Sequence, residues 1–188
     1  SSELFSAFQS SKYLENFISY RKTFQADRTL HNLITRNIQI LIYSASDKPL
    51  EHSAITDYPI CLYAKGDPAL LTSAHIKIAV IGTRKPTSYG IQNTQDFTQN
   101  LVEHNAIILS GLALGIDALA HETTLKANGK TIAILGSGFN CVHPRQNLRL
   151  YNSIIEHQCL VLTELPPHTP PLPQNFPLRN RLISGFSK

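Results

Sequence analysis

Three short apolar runs each end in a glycine turn and lead into a helix-like segment. They are Lys77–Ile81 before Gly82-Thr83-Arg84, Ala106–Leu109 before Ser110-Gly111, and Thr131–Leu135 before Gly136-Ser137-Gly138. This order predicts repeated β-turn-α units, and short strands alternating with helices give an open, mainly parallel sheet with helices on both faces. Right-handed crossovers place all the strand-end turns along one sheet edge. Backbone N–H groups and helix N-termini gather there and favour an anion, usually a phosphate. Arg84 lies inside the first of these turns.

At 188 residues the chain holds one full domain or one domain with a small appendage. Leu4, Phe5 and Phe8, then Tyr13, Leu14, Phe17 and Ile18, recur at helical spacing. They predict a helical segment over residues 1–37, followed by a Rossmann-like domain over 38–188. Strands are expected at Ile38–Tyr43, Ile60–Ala64, Ile76–Ile81 and Cys159–Leu162, with a loop-rich stretch from Ser44 to Pro59. Ser88 is placed to cap a helix from about Tyr89, whose apolar stripe is Ile91, Phe97, Leu101 and Val102. A second helix runs to about Asn128 and stops at Gly129, and a third spans about Asn147 to His157. The six prolines between Pro166 and Pro177 predict neither helix nor central strand. Arg179–Ser187 reads as the approach to a further sheet element. Methionine is absent, even at the first position. That predicts a fragment, or a chain from which methionines have dropped out.

No apolar stretch approaches a membrane span, and no signal-peptide pattern opens the chain. Cys61, Cys141 and Cys159 are odd in number and lack ligand spacing. They fit reduced, buried thiols of a cytoplasmic protein, with no metal site expected. The net charge of +4 is uneven: residues 140–188 hold Arg145, Arg149, Arg179, Arg181 and Lys188 against Glu156 and Glu164. Such a cluster is either a solvated face or, beside three phosphate-type turns, a polyanion surface.

Several familiar signatures fail. Gly136-Ser137-Gly138 has Cys141 where a dinucleotide fingerprint needs its third glycine. Gly129-Lys130-Thr131 precedes a strand where a P-loop would follow one. No second histidine follows His121-Glu122 at zinc-protease spacing, and no G-x-S-x-G elbow is present. No cofactor is therefore expected. Arg84 either pairs with a carboxylate such as Asp117 or holds phosphate. Glycines at 82 and 111 would let an anion approach closely, which favours phosphate. Asp117 suits the start of a helix and the orientation of Arg84. Glu164 reads as a partner of loop backbone. Arg179 and Arg181 flank Asn180 and cannot both point one way on a helix. Phe176 is either a core plug or a stacking platform for a base.

Longer motifs carry a resemblance. Ile81-Gly82-Thr83-Arg84 with Tyr89-Gly90, Ser110 through Ala118 with Ala120-His121, and Thr131 through Gly136 resemble the DNA-processing protein A family, also called DprA or Smf. Pro144, Asn147, Leu150-Tyr151, Thr163 through Pro167 and Phe176 through Gly185 fit the same pattern, so the likeness runs from about Tyr58 to Lys188. Thr83 and His143 depart from it, standing where serine and tyrosine are usual. The resemblance implies an extended Rossmann-like domain that binds single-stranded DNA without being an enzyme. It protects incoming strands in natural transformation and loads the RecA recombinase. The implied anion pocket falls on Gly82, Arg84, Ser110, Gly111, Gly136 and Gly138. Asn147, Arg149 and the block from Phe176 through Arg179 to Arg181 extend it. Family members continue beyond the position of Lys188, and their homodimers pair through that later part. The rival reading is a hydrolase cleaving nucleoside monophosphates, with Asp117 and Glu164 as its candidate carboxylates.

Overall fold

The computed structural model describes residues 12–43 and 57–188. The chain divides into two units, Ser1–Asn37 and Ile38–Lys188. In the first, α1 (Lys12–Thr23) and α2 (Ala26–Ile34) are helical. Phe17 and Ile18, expected on an apolar helical face, are exposed. Leu4, Phe5 and Phe8 lie outside the described residues, as does most of the expected loop from Ser44 to Pro59.

The second unit contains β1 (Gln39–Ile42), β2 (Cys61–Gly66), α3 (Ala69–Thr72), β3 (Lys77–Ala79), α4 (Ser88–Glu103) and β4 (Ile107–Ser110). Then come α5 (Ile116–Lys126), β5 (Thr131–Ile134), α6 (Leu148–Glu156), β6 (Leu160–Thr163) and α7 (Asn175–Gly185). The strands form one six-stranded sheet ordered β1-β2-β6-β5-β4-β3. β3 through β6 are parallel, while β1 and β2 add an antiparallel ribbon beside β6. The sheet is therefore mixed, with helices on both sides.

The central strands show how continuous apolar runs fix this architecture. β4, β5 and β6 are buried at every position, as expected of parallel strands covered on both faces. Side chains alternate between those faces. Ile107, Leu109, Ile132, Ile134, Leu160 and Leu162 point to one cluster, closed by Leu70 and Leu71 of α3 and by Leu182, Ile183 and Phe186 at α7. Ile108, Ala133 and Val161 lie at the intervening positions and are fully buried on the other face.

Several expected boundaries differ. The cap of α4 is Thr87, whose hydroxyl accepts from Gly90 N at 3.2 Å; Ser88 is the first helical residue. The buried residues of α4 are Thr94 and Thr98; of the expected stripe Leu101 and Val102 are half-buried, while Ile91 and Phe97 are exposed. Thr94 settles its hydroxyl on Gly90 O at 2.7 Å, so a polar side chain can sit there. At the end of α5 the left-handed position falls on Asn128 (φ 55°) and not on Gly129. The stretch from Arg179 is no approach to a strand: it is the body of α7. Pro177 lies in the first turn of that helix, where its missing N–H costs nothing.

Candidate anion site at the sheet edge

A cavity of about 570 Å³ opens at the C-terminal ends of β3 and β4. One wall comes from the turns after these strands, through Gly82, Arg84, Gly111 and Ala113. The opposite wall is α7, which presents Phe176, Arg179, Asn180, Ile183 and Ser184. Those positions step by three and four, so a single helical face lines the cavity. His143 and the adjoining Pro144 close one side, with the His143 ring 5.8 Å from the Phe176 ring, centroid to centroid.

Two glycines lock the first turn to the start of α5. Gly115 has φ +81°, and a Cβ there would run into the backbone of Thr83 and Arg84. Ile116 N then donates to Thr83 O at 3.1 Å, and Ile116 packs where a Cβ on Gly82 would sit, 2.7 Å away. The turn is held from behind while its front stays open. The backbone N–H groups of Gly82, Thr83 and Arg84 make no hydrogen bond to any described residue. All three residues are exposed. Arg84 has no carboxylate partner among the described residues, Asp117 included. Consecutive free N–H groups beside an unpaired guanidinium form a concave cradle for an anion.

The second turn is built differently. Gly111 N and Ala113 N both donate to Asp117 Oδ2, at 3.1 and 3.4 Å. The buried carboxylate thus occupies the donors that sequence reasoning offered to a phosphate. Gly111 is glycine for another reason: a Cβ would lie 2.5 Å from Arg179 Nη2. Arg179 is buried and donates from Nη1 to Gly111 O at 2.8 Å and to Ile134 O, tying the ends of β4 and β5 to α7. Its Nε donates to Asn180 Oδ1 at 3.2 Å. Burial pulls its pKa down to about 10, with Asp117 acting against the shift and Arg84 adding to it. It therefore stays charged at neutral pH.

Of the other residues singled out from sequence, Ser110 is buried and donates to Val80 O at 2.6 Å. Gly136 lies under the Phe176 ring, which a Cβ would meet at 2.8 Å. Gly138 is covered by the Pro166 and Pro167 carbonyls, and its N–H donates to Thr169 O at 2.9 Å. Asn147 is buried and donates to Leu112 O and Ala113 O at 2.9 and 3.1 Å, bracing the second turn. These four shape the loops and do not line the cavity. Arg149 is exposed on α6, and Arg145, in the turn that precedes this helix, is exposed as well. Arg181 points away from Arg179, with its Nη2 2.8 and 2.7 Å from the two Glu164 oxygens and its Nε 3.4 Å from Asp57. Glu164 thus partners Arg181, not the loop backbone, and its charge is spent outside the cavity.

Sequence reasoning missed His143, Asn180 and Ser184 on the cavity wall. The available signal was the helical spacing that starts at Phe176, hidden by the prolines before it. His121, rejected from sequence as a zinc-protease ligand and matched to the family pattern, is fully buried in α5. Thr131 Oγ1 donates to Ile108 O, so it accepts from His121 Nδ1 at 2.6 Å. Burial, then the Arg179 charge, lowers the His121 pKa to about 3, and the imidazole is neutral in the folded protein. Cys61 and Cys141 are half-buried, Cys159 is buried, and all three are free thiols. Among the described residues no His, Cys, Asp and Glu cluster could hold a metal ion. No helix among them is long and apolar enough to cross a membrane.

A six-stranded sheet covered on both faces, with its strand-end turns gathered at one edge, defines a Rossmann-like α/β domain. The chain belongs to the DNA recombination-mediator protein A family, whose pattern matches residues 39–188. It is 40% identical over 153 residues to DNA processing protein DprA of Bacillus subtilis, covering 81% of this chain and 51% of that one. To protein Smf of Escherichia coli it is 43% identical over 140 residues, 74% of this chain and 37% of the relative. The chain thus spans about half, or less, of the length of these relatives. Among solved structures, DprA of Streptococcus pneumoniae superposes with a TM-score of 0.78 at 34% identity, over 95% of this chain and 61% of that one. DNA processing protein A of Helicobacter pylori, solved for its single-stranded DNA binding mode, gives 0.70 at 32% identity, over 80% and 66%.

Proposed function

We propose that this chain binds single-stranded DNA, docking one backbone phosphate in the cradle of Gly82, Thr83 and Arg84. The observation that carries this reading is the set of N–H groups that bond to no described residue, beside an exposed Arg84 with no ion-pair partner among the described residues. A phosphodiester supplies the acceptor oxygens and the charge that these donors lack. The neighbouring nucleotide meets the Phe176 and His143 rings, which offer a face for stacking, and Asn180, which offers an amide to a base edge. Arg145 and Arg149 are exposed and give the strand further charge to follow. Arg179 contributes its field from the cavity wall, while Ser110, Gly111, Gly136, Gly138 and Asn147 hold the loops in place. Arg181 serves the fold through Glu164.

The Helicobacter pylori relative supports this reading by its described binding of single-stranded DNA. In the same reading the whole protein acts in the cytoplasm during natural transformation. It shields incoming strands, passes them to the RecA recombinase, and pairs as a homodimer. It needs no cofactor and performs no bond chemistry. A nucleotide hydrolase would need a free carboxylate near the sugar. Asp117 is held by two backbone N–H groups and Glu164 by Arg181, so neither is free for that role.

Titration of labelled oligo(dT) and of a duplex of equal length across salt tests the proposal. The single strand should bind more tightly. Its log affinity should fall with log salt by about 0.7 per phosphate neutralised. Equal affinity for the duplex, or no binding of the single strand at low salt, would contradict it.

A further inference from the structure

Resting on that reading, we infer that Asp117 makes the cavity selective for a phosphodiester, with one negative charge, over a terminal phosphate with two. The charged side chains lining the cavity are Arg84, Arg179 and Asp117. Arg179 reaches from α7 to Gly111 O of the turn whose N–H Asp117 holds, and the carboxylate favours the charged guanidinium. Their charges offset, leaving Arg84 as the net single positive charge of the site.

Asp117 cannot turn away from the ligand. Its Oδ2 is fixed by Gly111 N and Ala113 N, and the residue is buried in the first turn of α5. An anion in the Gly82–Arg84 cradle therefore shares the cavity with a rigid carboxylate. A phosphodiester brings one charge, which Arg84 balances. A monoester brings about 1.5 to 2 charges near neutral pH. The excess charge meets Asp117, with no further unpaired cation on the wall to offset it. Without Asp117, two arginines would favour the dianion. The carboxylate reverses that order and directs the site to the interior of a strand instead of its phosphorylated end.

The same two backbone N–H groups explain why the discrimination is built into the fold. Asp117 closes the turn that Asn147 also braces, through the Leu112 and Ala113 carbonyls. The residue that shapes the second turn is thus the one that sets the cavity's charge.

The test uses two ligands of nearly equal size, thymidine 5′-monophosphate and its methyl ester, as competitors for labelled, unphosphorylated oligo(dT) at pH 8. His143, the other titratable group on the wall, is common to every arm. The full chain should prefer the methyl ester. Asp117→Asn keeps an amide oxygen for Gly111 N and Ala113 N while removing the charge. It should shift the ratio toward the monophosphate by about tenfold, the order expected of one unit charge acting across a water-filled cavity. A merely structural role would change both affinities together and leave the ratio fixed.

Equal or better binding of the monophosphate to the wild-type protein overturns the inference. So does a ratio unchanged by Asp117→Asn. If the variant does not fold, as judged by its melting transition, the wild-type preference alone decides. If oligo(dT) itself does not bind, the single-strand reading fails and the inference falls with it. If oligo(dT) binds but the preference is missing, only the inference falls.

Discussion

Arg179→Ala is expected to destabilise the domain by about 3–5 kcal/mol, the usual cost of removing one member of a buried charged network. Three losses add up at this position. The Gly111 and Ile134 carbonyls lose their charged donor in a buried setting, and unsatisfied buried acceptors cost about 1–3 kcal/mol each. Asp117 loses the positive charge that faces it. A cavity also opens beneath α7, whose Leu182, Ile183 and Phe186 close one face of the core. Domains of this kind keep only about 5–15 kcal/mol in total. The melting temperature should therefore fall by about 6–20 °C, read by calorimetry or circular dichroism. Arg179→Lys should recover only part of the loss, since an ammonium lacks the planar fork that reaches two carbonyls. A melting temperature within a degree or two of wild type would show that Arg179 does not hold the strand ends together.

The opposite pattern is expected at Arg84. The side chain is exposed and has no ion-pair partner among the described residues. Arg84→Ala removes no packing and leaves no buried group unsatisfied, so the melting temperature should stay within the small range typical of surface substitutions. Single-strand affinity should fall by about 10- to 100-fold, the equivalent of about 1.4–2.7 kcal/mol for a charge-assisted contact to phosphate. The loss should be similar for oligo(dT) and mixed sequences, because phosphates carry no base information. The salt dependence should flatten by about one phosphate's share. Two arginines that line one cavity would then be separated by experiment: Arg179 acts mainly through stability, and Arg84 through binding alone.

That division marks where sequence reading succeeds and where it stops. β4, β5 and β6 fall within a residue or two of their expected positions, because parallel strands buried on both faces need continuous apolar runs. The glycine turns after β4 and β5 are legible for the same reason: each follows directly on a run. The partners of the turns are not legible. Arg179 finds Gly111 O across 68 positions of sequence, and no local pattern announces that contact. Both arginines of the Phe176–Arg181 block look alike as charges, yet Arg179 ties two strands and Arg181 pairs with Glu164. The α7 helix was obscured by its prolines, although Pro177 sits in the one turn that tolerates it. On α4, hydrophobicity alone finds only part of the covered side: Leu101 and Val102 are half-buried, Thr94 and Thr98 are buried, and Ile91 and Phe97 are left outside.

The second turn shows a related limit. Gly111 looked like an anion contact because glycine exposes backbone. It is glycine because the Arg179 guanidinium fills the space of its Cβ. Its N–H is taken by Asp117, whereas the N–H groups of Gly82, Thr83 and Arg84 bond to no described residue.

The account turns on that last distinction, and amide resonances report it directly. In a ¹⁵N-labelled sample titrated with oligo(dT), the Gly82, Thr83 and Arg84 amides should show the largest shifts and gain protection from exchange. The Gly111 and Ala113 amides should hold nearly still, because Asp117 keeps them bonded in both states. Large shifts at Gly111 and Ala113 with little change at Gly82 to Arg84 would place the phosphate in the other turn and contradict the account.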